Sequence, residues 1–330
     1  MKKTMFNKLH VVSLAVLVGL GASSLVNGVT FPLTASGKAG ADLVLSRNSL
    51  HKHAHVPQTQ QSQGTAPTVN LPVNTQESEN WAGYIDTPSS GSYTSVSGTW
   101  TVPSISAGQQ NSAAAQWIGL GGVSSTDLLQ MGTIEETENG QIVDEVFWEQ
   151  LPSPAQNVMT VPAGSTISAT IAESTGVNPT WNLTFTVNGQ TPSQTIAPVT
   201  LDPSSTYAQG IGTSAEWISE DPSTQNDQLY PLANMGTISY QSALVNGQAL
   251  HSAGNQVQPV DLVSSNGNVL IAPSALGTDG DSFSTSVIST NISTGSTSGY
   301  GQNANPRSPS NRRPGRVSNS WSYQTNNLGW

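Results

Sequence analysis

The sequence contains no cysteine, and it has no lysine or arginine between Lys52 and Arg307. Without thiols the chain has no disulfides, no cysteine nucleophile and no thiolate metal ligands. The missing cations argue against nucleic acid as a partner, because nucleic-acid binding depends on Lys and Arg contacts with phosphates. Charged residues make up only 9% of the chain, against about 25% in an average soluble protein. The surface must therefore consist largely of Ser, Thr, Asn, Gln and Gly.

The few charges are separated by sign along the chain. Nineteen of the twenty acidic residues lie between residues 53 and 306, whereas all ten Lys and Arg residues lie outside that range. At neutral pH this central part is anionic and repels itself, and acid relieves the repulsion by protonating the carboxylates. The composition therefore indicates a protein that works in acidic surroundings.

Composition divides the chain into four segments. Residues 1–28 have a basic start, an apolar run from Val11 to Leu20 and small residues beyond it, which is typical of a secretory signal peptide. That run is too short to span a membrane, so we expect a secreted, extracellular protein without a membrane partner. Residues 29–73, called the leader here, contain His51, His53 and His55, and are either a passive linker or an inhibitory propeptide. Residues 74–293 form the body, and residues 294–330 form a basic tail whose composition is typical of disorder.

The body has the alternation that is typical of β-strands. Its clearest segment, residues 181–187, alternates Trp, Leu, Phe and Val with Asn and Thr, and Asn188-Gly189 follows as a turn. Many such short segments occur without a convincing amphipathic helix. The pattern favours an all-β fold, either an antiparallel β-sandwich of two sheets or a jelly roll.

One hairpin can be predicted down to its register. An Asn-Gly turn at residues 139–140 separates two strand-like segments. In the hairpin that this turn predicts, the numbers of two residues that lie opposite each other sum to 279. This register sets Met131 opposite Trp148 on a largely apolar face, and Gln130 opposite Glu149 on the other face. Directly opposed side chains have Cβ atoms about 5 Å apart. The sequence therefore predicts a polar Gln–Glu pair on the face away from the better core face.

A second carboxylate lies in the stretch of residues 215–221, which reads Ala-Glu-Trp-Ile-Ser-Glu-Asp. In a strand, alternation puts Glu216, Ile218 and Glu220 on one side and Ala215 and Trp217 on the other. A carboxylate beside bulky apolar groups loses hydration, and its pKa tends to rise. Glu216 is therefore a candidate acid/base residue, although an ordinary rim carboxylate would show the same pattern.

Several catalytic chemistries lack the residues they need. His251 is the only histidine of the body, and no Gly-x-Ser-x-Gly nucleophile turn accompanies it. The ligands of a zinc site are missing as well, so we expect neither a metal nor a cofactor. Pepsin-like proteases use paired Asp-Thr/Ser-Gly loops, and the nearest run here is Asp86-Thr87-Pro88. What remains is carboxylate and amide chemistry, in which a Glu activates water and a Gln amide donates to an oxyanion.

Short motifs in a fixed order then point to one family. They are Asn80-Trp81-Ala82-Gly83-Tyr84, Val96-Ser97-Gly98-Thr99-Trp100-Thr101-Val102-Pro103, Gln116-Trp117-Ile118-Gly119, Leu129-Gln130-Met131-Gly132, Trp148-Glu149-Gln150-Leu151-Pro152, Ala215-Glu216-Trp217-Ile218-Ser219-Glu220-Asp221 and Leu232-Ala233-Asn234-Met235-Gly236-Thr237-Ile238. In this order they resemble the glutamic peptidases, the eqolisin family, over roughly residues 79–243.

The resemblance implies a concanavalin A-like sandwich of two antiparallel sheets with a catalytic Gln/Glu dyad. By motif, the dyad residues are Gln130 and Glu216. The substrate-binding residues are Trp81, Trp117 and Glu149, together with Trp148 beside Glu149. One position departs from the family pattern, because the Asp that often follows the Trp-x-Gly motif is absent, and the chain has Leu-Gly-Gly at residues 120–122.

The resulting hypothesis is a monomeric acid endopeptidase acting on proteins or peptides without a covalent intermediate. Glu216 removes a proton from water, and Gln130 stabilises the oxyanion. A jelly-roll glycoside hydrolase using Glu149 and Glu216 is the alternative, and a non-enzymatic adhesive β domain is a third. We also expect the basic leader to inhibit the acidic body near pH 6 and to detach in acid, so that the mature chain begins between about Pro57 and Glu77.

Overall fold

The computed structural model describes the greater part of the body and short parts of the leader. The described residues are 47–48, 51–54, 69–106, 111–175, 180–190, 195–200, 210–252 and 254–288. All of them belong to one compact unit within Met1–Thr290. The expected signal peptide and basic tail lie outside the described residues. None of the helices in the described part is long and apolar enough to cross a membrane.

The elements named here are β-strands. They are β1 (Arg47–Asn48), β2 (His51–Lys52), β3 (Gln76–Ser78), β4 (Trp81–Pro88), β5 (Ser95–Thr101), β6 (Ala113–Gly121), β7 (Leu128–Glu138), β8 (Gln141–Gln150), β9 (Gln156–Thr160), β10 (Thr166–Glu173), β11 (Thr180–Val187), β12 (Thr195–Thr200), β13 (Ala215–Glu220), β14 (Ser223–Thr224), β15 (Thr237–Val245), β16 (Gln248–Ala249), β17 (Asn255–Val263), β18 (Val269–Pro273) and β19 (Phe283–Val287).

Most of the strands form two sheets that share β15, and β2 and β14 form a separate two-stranded sheet. In the first sheet the order is β9, β8, β7, β6, β13, β4, β17, β18 and β19, with β1 added beside β9. In the second sheet β12, β11, β10 and β5 are neighbours. The first part of β15 pairs with β19 and its later part with β5, so the chain curls from one sheet into the other. The prediction of an antiparallel β-sandwich is confirmed.

The predicted alternation is visible in the second sheet. Trp181, Leu183 and Phe185 in β11 are 4%, 0% and 2% exposed, and the Thr and Asn residues between them are only partly buried. The turn at Asn188-Gly189 has φ angles of 54° and 69°. Gly adopts this left-handed conformation without steric cost and Asn tolerates it better than most residues, which is why Asn-Gly ends the strand here.

The predicted β7–β8 hairpin is also confirmed in full register. Every pair from residues 129 and 150 to residues 138 and 141 sums to 279, including Gln130 with Glu149 and Met131 with Trp148. Met131 belongs to the main hydrophobic cluster, which lies between the two sheets. Gln130 and Glu149 therefore point to the other face of the first sheet, as the sequence predicted.

That outer face of the first sheet has a hydrophobic cluster of its own. It consists of Trp81, Ile85, Ala115, Trp117, Leu128, Ile134, Phe147, Leu151, Ala155, Ile218 and Val260, and Ala54 of the leader packs against it. These side chains belong mainly to β4, β6, β7, β8 and β13. Polar groups placed among them are cut off from water, and the candidate site lies on this face.

Candidate active site

Strand β13 lies at the centre of the site face because it pairs with β4 on one side and β6 on the other. All six of its residues are buried. Ala215 and Trp217 point into the main cluster between the sheets, whereas Ile218 belongs to the outer cluster. Glu216 and Glu220 have the same parity as Ile218, so both glutamates point to the site face.

Glu220 is the glutamate that the aromatic residues surround. Its Oε1 accepts hydrogen bonds from Trp81 Nε1 and Asn80 Nδ2, each at 3.2 Å. Its Oε2 accepts one from Trp117 Nε1 at 2.7 Å and lies 2.7 Å from His53 Nδ1. The side chain is fully buried. A buried carboxylate needs such donors to remain charged, and three N–H donors converge on this one together with the ring nitrogen of His53.

Gln130 and Glu149 stand opposite each other on the neighbouring hairpin, as predicted. Gln130 Nε2 donates to Glu149 Oε2 at 2.7 Å. Burial raises the pKa of Glu149 to about 7. The charge of His53 opposes this rise, and the charge of Glu220 adds to it, which means that Glu149 and Glu220 interact electrostatically.

The leader enters this site through His53. Its ring is fully buried and stacks on Phe147 with ring centroids 4.1 Å apart and planes inclined by 10°. Its backbone N–H donates to Glu149 Oε2 at 3.2 Å, and its carbonyl oxygen accepts from Gln130 Nε2 at 3.3 Å. Just before His53 in the chain, β1 pairs with β9 and β2 pairs with β14. A leader residue therefore contacts Gln130, Glu149 and Glu220 at once.

Glu216, the predicted base, has different surroundings. Its side chain is fully buried, and burial raises its pKa well above the ordinary value, with the charge of Asp86 adding to the rise and the Ser214 hydroxyl opposing it. The Ser214 hydroxyl lies nearby without forming a hydrogen bond of normal geometry, and neither carboxyl oxygen of Glu216 has such a bond with the described residues. In particular it makes no hydrogen bond with Gln130 or Glu149. Among the predicted site residues, the structure therefore groups Trp81, Trp117, Gln130 and Glu149 around Glu220.

Trp148 and Gly121 are two further positions that the sequence singled out. Trp148 packs against the main cluster on the opposite face of β8, so the structure does not bring it into the site. Gly121 has φ of +88°, and a Cβ atom there would lie 2.3 Å from the carbonyl oxygen of Asp127. The usual Asp of the family cannot occupy this position without a backbone shift.

Sequence reasoning passed over Glu220 and the position of His53. Both glutamates of β13 satisfy the same alternation, and the sequence neighbours of Glu216 (Ala215 and Trp217) are more apolar than those of Glu220 (Ser219 and Asp221), which favoured Glu216. What separates them is strand pairing: Glu220 is opposite Trp81 in β4, whereas Glu216 is opposite Ile85. The signal that could have found Glu220 is the tryptophan of the Asn-Trp-Ala-Gly motif, once β4 and β13 are aligned. No cluster of three or more His, Asp or Glu side chains suited to a metal ion occurs in the described ranges.

Comparisons with known proteins agree with this architecture. The family model of the Peptidase A4 family matches residues 79–287. Aspergillopepsin-2 of Aspergillus niger is 28% identical over 275 residues, which cover 74% of this chain and 90% of that protein. The crystal structure of scytalido-glutamic peptidase with a transition state analog inhibitor superposes with a TM-score of 0.50 at 20% identity, covering 64% of this chain and 98% of the other. The chain therefore belongs to the Peptidase A4 family, the glutamic peptidases or eqolisins, and is an endopeptidase.

Proposed function

We propose that this peptidase hydrolyses protein and peptide substrates in acid with a Gln130/Glu220 dyad and an activated water. One observation carries the proposal: the Gln130 amide and the Glu220 carboxylate both contact the same residue of an extended chain segment. Gln130 Nε2 donates to the carbonyl oxygen of His53, and Glu220 Oε2 meets the side chain of that residue. A substrate carbonyl group that binds in the same way as the carbonyl of His53 would lie between an oxyanion donor and a general base.

The mechanism needs no covalent intermediate. Ionised Glu220 removes a proton from a water molecule, and the oxygen of that water attacks the scissile carbonyl carbon. The Gln130 amide N–H stabilises the tetrahedral oxyanion. Glu220 then passes its proton to the leaving nitrogen, and the C–N bond breaks. Trp81, Asn80 and Trp117 hold the carboxylate in position through the hydrogen bonds described above.

Glu149 supports the dyad through its hydrogen bond with Gln130, and its own charge depends on the pH. Its Oε2 accepts from Gln130 Nε2, which fixes the amide so that the second N–H of the group can point to the substrate. With its pKa raised to about 7, Glu149 is neutral in acid and adds no negative charge beside the developing oxyanion. Because the charge near the oxyanion disappears as the pH falls, this pair favours activity in acid.

The test is a matched pair of isosteric substitutions in one strand. Glu220→Gln removes the proposed base, whereas Glu216→Gln removes the glutamate that the motif alone assigns. Both side chains are fully buried in β13, and each substitution keeps the size of the side chain while removing its charge. We expect Glu220→Gln to abolish hydrolysis of denatured casein at pH 3–5 while folding normally. Gln130→Ala should lower the rate by about 10²–10³, as removal of an oxyanion donor does elsewhere.

The opposite result assigns the base to Glu216. If folded Glu220→Gln retains casein hydrolysis and Glu216→Gln loses it, the Gln130/Glu220 dyad is wrong. Circular dichroism and melting temperature of each variant separate a chemical loss from unfolding. A mass spectrum of the casein peptides then shows which bonds the active protein cuts.

We also propose that the protein is secreted into an acidic medium and that its leader is an inhibitory propeptide. The signal-like residues 1–28 and the carboxylate-rich body support the first point. The burial of His53 among Gln130, Glu149 and Glu220 supports the second, because a substrate cannot reach these groups while His53 is there. A synthetic peptide of residues 29–73 should inhibit the mature enzyme near pH 5–6 and lose effect in stronger acid. A peptide without effect at any pH where the enzyme works would make the leader a linker.

A further inference from the structure

We propose that the first bond this peptidase cuts in its own chain is His53–Ala54, and that the His53 ring delays the cut by standing where the attacking water must stand. The proposal rests on the proposed function of Gln130 and Glu220. It goes beyond inhibition, because the leader is held as an extended substrate whose target bond is already in position.

Both sides of the His53–Ala54 bond are anchored to the body. Before the bond, the His53 N–H donates to Glu149 Oε2 at 3.2 Å. At the bond, the His53 carbonyl oxygen accepts from Gln130 Nε2 at 3.3 Å. After the bond, the Ala54 carbonyl oxygen accepts from Asn80 Nδ2 at 2.8 Å. The carbonyl that meets the proposed oxyanion donor is that of His53, so the following peptide bond is the one presented for hydrolysis.

The leader backbone is aligned by strand pairing as well. Residues 51–52 pair antiparallel with residues 224–223, which begin three positions after Glu220. Residues 47–48 pair with residues 157–156 at the β9 edge of the first sheet. Both pairings precede the His53–Ala54 bond, and paired strand residues have an extended backbone, the form that presents a peptide bond to a peptidase cleft.

The His53 ring explains why the bound segment is not cut at once. Nδ1 is 2.7 Å from Glu220 Oε2, the distance at which a water molecule would donate its proton to the same oxygen. Trp117 Nε1 donates to the same oxygen, so the ring nitrogen shares Oε2 with an indole N–H and occupies space that a water molecule would need. Stacking on Phe147 holds the ring there. Water can reach Glu220 once the ring swings away, while the backbone contacts of residues 53 and 54 remain.

The reaction is an ordinary hydrolysis that uses one water molecule. Glu220 takes one proton of the water, and the hydroxide oxygen forms a bond with the His53 carbonyl carbon. The C–N bond to Ala54 then breaks, and Glu220 gives the proton to the Ala54 nitrogen. The products are a leader fragment ending in a His53 carboxylic acid and a chain beginning with the Ala54 amine. When ionised, the new carboxylate lies beside Glu149 and Glu220, and like-charge repulsion favours its release.

The first new N-terminus is therefore expected at Ala54, before the range of residues 57–77 predicted from composition. Later trimming can still bring the mature chain into that range. The experiment starts from the full chain at neutral pH and shifts it to pH 4. Labelling of new amino termini and intact mass are followed over time. We expect Ala54 as the earliest terminus, at a first-order rate that does not change over a roughly 100-fold dilution, because the bond is cut within one molecule.

Three substitutions sharpen the test. Ala54→Pro replaces the leaving nitrogen by a proline nitrogen without an N–H and should abolish the Ala54 terminus, whereas Ala54→Gly should retain it at residue 54. His53→Ala keeps the bond and removes the ring. Since a hydrogen bond to a charged group contributes about 1.5–3 kcal/mol, cutting at the same bond should become roughly 10–100 times faster near pH 6.

The outcomes separate this inference from the proposed function. A protein that hydrolyses casein but produces its first N-terminus elsewhere, or only by a concentration-dependent reaction, refutes the His53–Ala54 cut alone. A His53→Ala variant that produces the Ala54 terminus no faster than the wild type refutes the blocking role of the ring. A protein that cuts neither itself nor casein refutes the proposed function together with this inference.

Discussion

The Asp86 carboxyl should make the folded protein more stable in acid than near pH 8. Asp86 lies in β4 and is 0% exposed. Burial raises its pKa from 3.8 to about 7, and the nearby Tyr93 hydroxyl and the backbones of Gln256 and Thr87 oppose the rise only in part. A pKa raised by folding contributes stability below the unfolded pKa of about 4, and that contribution is lost as pH rises through about 7.

The size of this effect follows from the two pKa values. At about 1.36 kcal/mol per pH unit, the difference between 3.8 and about 7 corresponds to at most about 4 kcal/mol between pH 4 and pH 8. For a domain of this size, 1 kcal/mol changes the melting temperature by roughly 2–4 °C. Burial also raises the pKa of Glu149 to about 7 and those of Asp144 and Asp261 to about 6, all of which act in the same direction.

The assay compares melting temperatures from pH 4 to pH 8 in a Glu220→Gln background, which limits self-digestion. Asp86→Asn removes the titrating carboxyl. From pH 4 to pH 8 the melting temperature of this variant should therefore fall less than that of the parent, and the two falls should differ by up to roughly 8–16 °C. Asp279→Asn is the matched control. Asp279 is exposed, and the Ser282 hydroxyl lowers its pKa, so it stays ionised across the whole range. This control should follow the parent.

Two results would refute the reasoning. A melting temperature that rises steadily from pH 4 to pH 8 would mean that the raised carboxyl pKa values do not govern stability. An Asp86→Asn variant that loses as much stability as the parent would remove Asp86 from the explanation, while leaving the other buried carboxyls to account for the trend.

Two further substitutions test the packing around the site. Gly121→Asp introduces the usual residue of the family at a position where φ is +88° and a Cβ would lie 2.3 Å from the Asp127 carbonyl oxygen. We expect the variant to be destabilised by more than the ~1–2 kcal/mol that left-handed strain alone costs, as measured by denaturant unfolding. Trp117→Phe removes the indole N–H that donates to Glu220 at 2.7 Å. Because hydrogen bonds to charged groups contribute about 1.5–3 kcal/mol, kcat/KM should fall by roughly 10–100-fold while the fold is unchanged. An unchanged kcat/KM would show that Trp117 is only a packing residue.

Membership of the glutamic peptidases removes support from the alternatives that sequence reasoning left open. A glycoside hydrolase using Glu149 and Glu216 is not favoured, because the family match covers residues 79–287 and its members are peptidases. The family also accounts for why Gln130 and Glu149 could be identified early. They lie in short motifs and in one hairpin, where an Asn-Gly turn fixes the register without help from the rest of the fold.

The sequence by itself determined the β-sandwich, the Gln130–Glu149 pairing and the acidic character of the body. Each depends on information that is local or additive along the chain: alternation with period two, turn residues, and the count of charges. Only the tertiary structure decided between Glu216 and Glu220, since alternation treats residues four apart in a strand alike. The choice depends on how β13 aligns with β4, which sets Glu220 opposite Trp81. The position of His53 is likewise tertiary, because its contacts join residues 77 to 167 positions apart, and chain folding alone brings them together.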